Sequence, residues 1–169
     1  MRGEGPREIG IRLDNLVPAL RSAALVTAIP SAAILIAGVA LGTVRPDWIV
    51  TVKRLPWLVV WGFLQQYVLQ SFVHRRVNEA IRGDVSREIL TAAVFATCHL
   101  PNWRLMIATF IGGWIWSYLY RRHPNLIALA FAHAVGSAAL SIALGPALLH
   151  GMKVGRGYFT YEPPATPSR

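Results

Sequence analysis

Two histidines and two glutamines inside apolar stretches are the residues best suited to chemistry in this sequence. His99 and His133 carry imidazoles, which titrate near neutral pH and can transfer protons. Gln65 and Gln66 carry amides, which form hydrogen bonds but take up no proton at neutral pH. Ser137 follows His133 by four residues and therefore shares its helical face. Together these groups are suited to hydrogen bonding and, at the imidazoles, to proton transfer.

Five uncharged, apolar runs carry these residues and predict the elements that position them. The runs are residues 22–44, 55–73, 89–102, 105–120 and 124–149. About 20 apolar residues span a bilayer, so the longer runs are predicted to be membrane helices. Pro101 is expected to end the third helix near Leu100, and the third and fourth runs form a short helical hairpin with its tip at 101–104. Pro124 is expected in the first turn of the last helix.

The predicted fold is an all-α, polytopic membrane bundle of about five segments, in a single integral membrane domain covering residues 1–169. Residues 1–21 are mixed in charge and are predicted to be a polar, interfacial N-terminus, and residues 153–169 a loose polar tail. Ten of the 17 Lys and Arg residues fall on the side of the N-terminus and seven on the other. This excess predicts an N-terminus in the cytoplasm.

Three of the polar residues are predicted to lie at a similar depth in the membrane. Gln65, His99 and His133 each follow the charged or proline boundary of their segment by nine to eleven residues, about 13–16 Å of helix. Polar groups inside a membrane usually face a bundle interior or a wet cavity. We therefore predict that His99, His133 and at least one of Gln65 and Gln66 line one polar cavity. Taken singly, each of these residues could instead have a purely structural role, because a glutamine often hydrogen-bonds between helices and a lone buried histidine often only fills the core.

Composition excludes several other classes of protein. The hydrophobic fraction is 54% and the charged fraction 15%, whereas a soluble domain carries roughly 25% charged residues. The single cysteine, Cys98, excludes a disulfide scaffold and is predicted to be small, buried and neutral. The net charge of +9 lies at the ends of apolar runs, which favours contact with lipid headgroups over nucleic acid.

The order of motifs resembles the CPBP family of intramembrane proteases, which includes CAAX prenyl endopeptidases and bacteriocin-immunity proteins. That family carries Glu-Glu followed by Arg, then Phe-x-x-x-His, then His with Asn four residues later. Phe95 to His99 matches the second motif, and His133 with Ser137 matches the third, with Ser in place of Asn. The resemblance covers about residues 55–149. It implies an integral membrane protein, with a bacterial inner membrane as the expected location.

The first motif departs from the family pattern in all three of its charged positions. Gln65 and Gln66 stand where the family has two Glu, and Gln70 where it has Arg. A neutral amide set avoids an unpaired buried charge, so the fold tolerates the exchange. The resemblance implies that a Glu and the second-motif His activate a water, whereas the third-motif residues stabilise the oxyanion.

Two functions follow from the resemblance. The first is an intramembrane endopeptidase of the CAAX-processing type, acting on a membrane-embedded or lipid-modified peptide, with His99 as base and His133 and Ser137 as oxyanion donors. The second is a non-catalytic relative that binds such a peptide, or acts as a partner subunit or immunity factor. Two histidines without a carboxylate are too few for a typical catalytic zinc, so no metal and no cofactor are predicted.

Overall fold

The computed structural model describes residues 5–45 and 47–163, and all regular structure in this part of the chain is helical. The elements are α1 (Leu16–Ala40), α2 (Trp48–Lys53), α3 (Leu55–Gln66), a π-helical segment (Tyr67–His74), α4 (Arg75–Ala80), α5 (Asp84–Thr97), α6 (Trp103–Arg122), α7 (Leu126–Ala143), α8 (Gly145–Leu148), a 3-10 turn (His150–Met152) and α9 (Arg156–Phe159). The all-α prediction is confirmed for the described residues.

Two of these helices are long and apolar enough to cross a membrane, by length and composition. They are α1, with a mean hydropathy of 2.1, and α7, with 1.9. The outer face of α1 carries exposed apolar side chains such as Leu25 and Ile29, a surface suited to lipid. By contrast, the 14 residues of α5 rise only about 21 Å, less than the hydrocarbon core of a bilayer. The count of five membrane segments therefore stays a prediction.

The last long helix, α7, lies at the centre of the bundle between α1 and α3. Its small residues Ala128, Ala130 and Ala134 are almost fully buried, as expected for a helix that packs closely on its neighbours. On α3, Gly62 permits the closest approach, because a Cβ at this position would stand 3.0 Å from the Ala130 carbonyl oxygen. This contact brings the middle of α3 against the middle of α7.

A π-helical segment continues α3 into α4, so that residues 55–80 form one rod. The wider turn of a π-helix shifts the facing of the residues after it. Gln66, Gln70 and His74 are all buried along this rod, although the sequence around them is apolar. The predicted apolar helix at 55–73 is thus present, with a polar inner face.

The hairpin prediction is confirmed, with different boundaries. Helices α5 and α6 pack side by side, and the tip comprises residues 98–102. Trp103 and Arg104 belong to the first turn of α6 rather than to the tip, because the Asn102 side chain caps that helix by accepting from the Leu105 N–H.

Three other predicted boundaries are wrong. Helix α1 begins at Leu16 rather than at residue 22, since its exposed face accommodates Arg21. Pro124 precedes α7 instead of entering it, because the Asn125 side chain is the N-cap and accepts from the Ala128 N–H. Helix α7 ends at Ala143, six residues before the predicted limit, where Gly145 and Pro146 start the short helix α8.

Both ends of the described chain are hydrogen-bonded to the bundle. The Ile9 carbonyl accepts from Ser71 Oγ at 2.7 Å, and the Gly10 carbonyl accepts from the Leu126 N–H at 2.8 Å. At the opposite end, Asn102 Nδ2 donates to the carbonyls of Leu149 and Lys153, at 2.8 and 3.1 Å. These bonds join parts of both stretches to the bundle, and the interfacial N-terminus and the loose tail stay predictions. Residues 1–4 and 164–169 lie outside the described residues.

Candidate functional site

A buried chain of hydrogen bonds leads from α6 to His133 on α7. Gln70 Nε2 lies 3.3 Å from both Ser117 Oγ and Gln66 Oε1, and Gln66 Nε2 lies 3.2 Å from His133 Nδ1. Since the Gln66 oxygen accepts from Gln70, its amide nitrogen faces His133 and donates. His133 Nδ1 therefore accepts, and the imidazole carries its proton on Nε2.

Aromatic side chains fix the plane of the same imidazole. The Trp116 ring stacks on His133 with centroids 4.5 Å apart and an interplanar angle of 13°. Phe95 approaches edge-on, with its centroid 6.0 Å from that of His133. Gly62 contributes from α3, since a larger residue there would press on the His133 Cβ. The imidazole is thus held by a hydrogen bond, a stacked ring and a close helix contact.

His99 is held in the opposite way, just after the end of α5. Its Nδ1 lies 2.9 Å from the Phe95 carbonyl oxygen, which can only accept, so Nδ1 carries the proton. Its Nε2 keeps a lone pair, the arrangement required of a general base. The Phe95 ring contacts both imidazoles, with its centroid 4.9 Å from that of His99. The two histidine ring centroids are consequently at most about 11 Å apart.

One cavity of about 1230 Å³ brings most of the predicted site residues together. Gln65, His99, His133 and Ser137 all lie on its wall. Gln66 does not, because it is fully buried and contacts His133 from behind. The wall is mostly apolar, whereas the sequence predicts a polar cavity. Gln65 is therefore the glutamine placed to meet a bound molecule, and Gln66 is placed to position His133.

The cavity also contains residues that sequence reasoning missed or misplaced. Cys98 is exposed and lines the cavity, so its predicted burial is wrong; it lies in the hairpin turn, beyond the packed part of α5. Trp116 on α6 lines the cavity, and Ser117 is fully buried beside it; neither has a distinguishing spacing in the sequence. Three arginines reach the cavity from the end at which α3 and α6 begin, namely Arg45, Arg54 and Arg104. From their positions at the ends of apolar runs, the sequence predicts only contact with lipid headgroups for these arginines.

No acidic residue of the described chain lines this cavity. Glu88, the one acidic residue buried among residues 5–45 and 47–163, is committed elsewhere. It accepts from Arg121 Nε at 2.8 Å and from Trp114 Nε1 at 3.3 Å. Within the same residues, no group of three or more His, Cys, Asp and Glu side chains is arranged to hold a metal ion. The chemical groups that the cavity wall offers are therefore imidazole, amide, hydroxyl, thiol and guanidinium groups.

Comparison with known proteins identifies the family. The sequence profile described as Rce1-like, type II CAAX prenyl endopeptidase, matches residues 46–139, more than half of the chain. The chain belongs to this family. The match runs from α2 into α7 and contains Gln65, His99, His133 and Ser137. It confirms the resemblance read from the motifs and places the chain in an integral membrane family. No curated protein and no solved structure is similar enough to this chain to count as a match.

Proposed function

We propose that this member of the Rce1-like family is an intramembrane endopeptidase that cleaves a membrane-associated, lipid-modified peptide with water. The observation that carries the proposal is the opposite hydrogen bonding of two histidines on one cavity wall. His99 offers a lone pair at Nε2, and His133 offers an N–H at Nε2. One is suited to accept a proton and the other to donate a hydrogen bond, as hydrolysis of an amide requires.

The proposed reaction uses four side chains of the cavity. A water held by Gln65 loses a proton to His99 Nε2 as its oxygen attacks the scissile carbonyl carbon. The oxyanion that forms accepts hydrogen bonds from His133 Nε2–H and Ser137 Oγ–H. When the carbon–nitrogen bond breaks, His99 returns the proton to the leaving amine. Gln66 and Gln70 touch no reacting atom and act as positioning residues for His133.

A second candidate function is favoured by the missing carboxylates. No acidic side chain of the described residues lines the cavity, and the neutral amides of Gln66 and Gln70 are paired behind His133. A cavity of this kind binds a peptide without a strong base to activate water. Under this alternative the chain is a binding protein for lipidated peptides, a partner subunit or an immunity factor.

A cleavage assay separates the two functions. The full-length protein in lipid nanodiscs is incubated with an S-farnesylated synthetic peptide, and the products are measured by mass spectrometry. We expect hydrolysis by the parent protein, none by His99→Ala, and a decrease of about 10²–10³ in His133→Ala, the usual effect of removing an oxyanion donor. His123→Ala is the matched control, since His123 ends α6 away from the cavity. Absence of cleavage by the parent with retained binding would favour the second function, and cleavage that survives His99→Ala would contradict the mechanism.

The proposed location is the bacterial inner membrane, with the N-terminus in the cytoplasm. The asymmetry of Lys and Arg between the two sides supports this orientation. Single cysteines at residues 80 and 160, introduced into a Cys98→Ala protein, test it. Ala80 ends α4 and Thr160 follows α9, at opposite ends of the bundle. We expect a membrane-impermeant maleimide to label Ala80→Cys from the cytoplasm and Thr160→Cys from the other side. Labelling of both from one side would contradict this topology.

A further inference from the structure

The cavity carries uncompensated positive charge at the end where α3 and α6 begin. Arg45 is neutralised by Asp47, whose Oδ1 accepts from Arg45 Nε at 2.8 Å. The hydrogen bond from Arg45 lowers the pKa of the Asp47 carboxyl, and the nearby charge of Arg54 acts in the same direction. Asp47 therefore stays ionised and balances one of the three guanidinium groups. Arg54 and Arg104 remain.

These two arginines have donors to spare. The guanidinium of Arg54 forms no hydrogen bond and no ion pair with any residue in 5–45 or 47–163. Arg104 donates to the Leu148 carbonyl at 3.2 Å, and its Cζ lies 5.1 Å from the Trp103 ring centroid. A guanidinium carries five N–H donors in a planar fork that fits a carboxylate or a phosphate. At the mouth of an apolar cavity, this pair is suited to hold the anionic end of a ligand.

The wall formed by α1 carries two hydroxyls that have no partner within the described residues, and they indicate the hydrogen-bonding groups expected on the rest of that ligand. Thr27 and Ser31 lie one turn apart, line the cavity, and are each only 7% exposed. Their hydroxyl oxygens are themselves buried and form no hydrogen bond within the described chain, so a ligand reaches them only when the side chains rotate about the Cα–Cβ bond. Between them, Pro30 has no N–H, so the Val26 carbonyl loses its helical donor. Buried polar groups normally have partners, so this wall is suited to a ligand with hydrogen-bonding groups along its length. A peptide backbone has them, and a lipid acyl chain does not.

We infer that the cavity holds a peptide by its C-terminal carboxylate, which pairs with Arg54 and Arg104 while its backbone bonds to Thr27 and Ser31. The inference rests on the peptide binding in the proposed function and not on cleavage. It orients the peptide, with the carboxylate at the arginines and the preceding residues directed towards His99 and His133. Arg54 lies eleven residues before Gln65, about 16 Å along the same helical rod, so the two contacts engage different parts of one chain.

Binding of two matched peptides tests this orientation. The full-length His99→Ala protein is placed in nanodiscs of uncharged phosphatidylcholine, so that binding is measured without cleavage. The probes are one fluorescent S-farnesylated peptide with a free C-terminal carboxylate and the same peptide as a C-terminal amide. We expect the amide to bind about 10- to 100-fold more weakly, the range for lost hydrogen bonds to a charged group.

Substitutions test whether the two arginines cause the difference in affinity between the free acid and the amide. Arg54→Gln and Arg104→Gln should each weaken the free acid and leave the amide unchanged. Lys53→Gln is the matched control, because Lys53 precedes Arg54 but does not line the cavity. Thr27→Val and Ser31→Ala should weaken both peptides alike, since they contact the backbone in either case.

Several results would overturn the inference. Equal affinity for acid and amide would remove the carboxylate contact while leaving peptide binding intact. An equal loss for both peptides in Arg54→Gln would show a structural role for that arginine. Displacement of the acid peptide by phosphatidylglycerol in the parent, but not in Arg54→Gln, would assign the guanidinium groups to a lipid phosphate. Binding of neither peptide would overturn the proposed function as well.

Discussion

The deep end of the cavity and the hairpin tip each provide one histidine, but they hold it in different ways. His133 lies in the middle of α7, almost fully buried, with Gln66 on one nitrogen and Trp116 stacked on its face. His99 lies beyond the end of α5 and is only partly buried, and its imidazole has a hydrogen bond to the Phe95 carbonyl. The deep imidazole is fixed as a donor, whereas the one at the tip keeps a free acceptor.

This difference indicates how a site without carboxylates divides acid–base work. A neutral amide can fix a tautomer as well as a carboxylate can, since it needs only a hydrogen bond. It cannot take up a proton, so the proton must go to the imidazole with the free nitrogen. Under the proposed function, the amides of Gln65, Gln66 and Gln70 leave His133 as the donor and place the whole base role on His99.

Placing charged residues at positions 65, 66 and 70 should have the largest effect on the rate of peptide hydrolysis. The variant Gln65→Glu/Gln66→Glu/Gln70→Arg gives the cavity a carboxylate base together with a cationic partner. General bases contribute about 10²–10⁴ in rate, so we expect peptide hydrolysis to rise by at least about 10². The single variant Gln65→Glu is the control, because a carboxyl on the mostly apolar cavity wall without a cationic partner has a raised pKa and stays protonated. A triple variant that folds, binds peptide and gains no activity would contradict the division of roles.

Removing the hydrogen bond between Gln66 and His133 should have the next largest effect on the rate of hydrolysis. In Gln66→Leu the Nδ1 of His133 loses its donor, and the imidazole is free to change tautomer. We expect kcat to decrease by about 10², less than or equal to the loss of the oxyanion donor itself, with KM unchanged. Steady-state kinetics on the farnesylated peptide measure this. A rise in KM with unchanged kcat would instead place Gln66 in substrate binding.

Close helix packing behind His133 should give a smaller effect, on stability. In Gly62→Ala the new methyl would stand 3.0 Å from the Ala130 carbonyl oxygen, so α3 and α7 must separate. Overpacking of this kind costs about 1–3 kcal/mol in the free energy of unfolding. Gly136→Ala is the control, because its Cβ would meet only Trp116, at 3.9 Å. Thermal denaturation in detergent compares them, and equal melting temperatures would mean that the α3–α7 contact does not depend on Gly62.

The sequence predicts which helices carry the site but not how each helix is rotated. The apolar runs and the spacing of Phe95, His99, His133 and Ser137 follow from local pattern, and these residues do meet at one cavity. Gln65 and Gln66 are adjacent, so only packing decides which one faces the cavity. The close contact at Gly62 sets that rotation, and it has no clear signal in one sequence.

The sequence does not predict that Arg54 and Arg104 line the cavity, for a related reason. Arg54 and Arg104 occupy the ends of apolar runs, which is where lipid-facing arginines also occur. The place of Arg104 on the cavity depends on the hairpin tip folding back against residues 149–155, through contacts such as the hydrogen bond from the Gly155 N–H to the Leu100 carbonyl. Contacts between residues so far apart in the chain leave no periodic pattern to read.

The protonation of the two imidazoles at neutral pH tests the central claim most directly. Nitrogen-15 NMR of histidine-labelled protein in nanodiscs reports which ring nitrogen carries the proton, with His99→Ala and His133→Ala assigning the signals. The account predicts a neutral His99 protonated on Nδ1 and a neutral His133 protonated on Nε2, with Gln66→Leu altering the signal of His133 alone. The same tautomer at both histidines, or a doubly protonated ring at either, would contradict it.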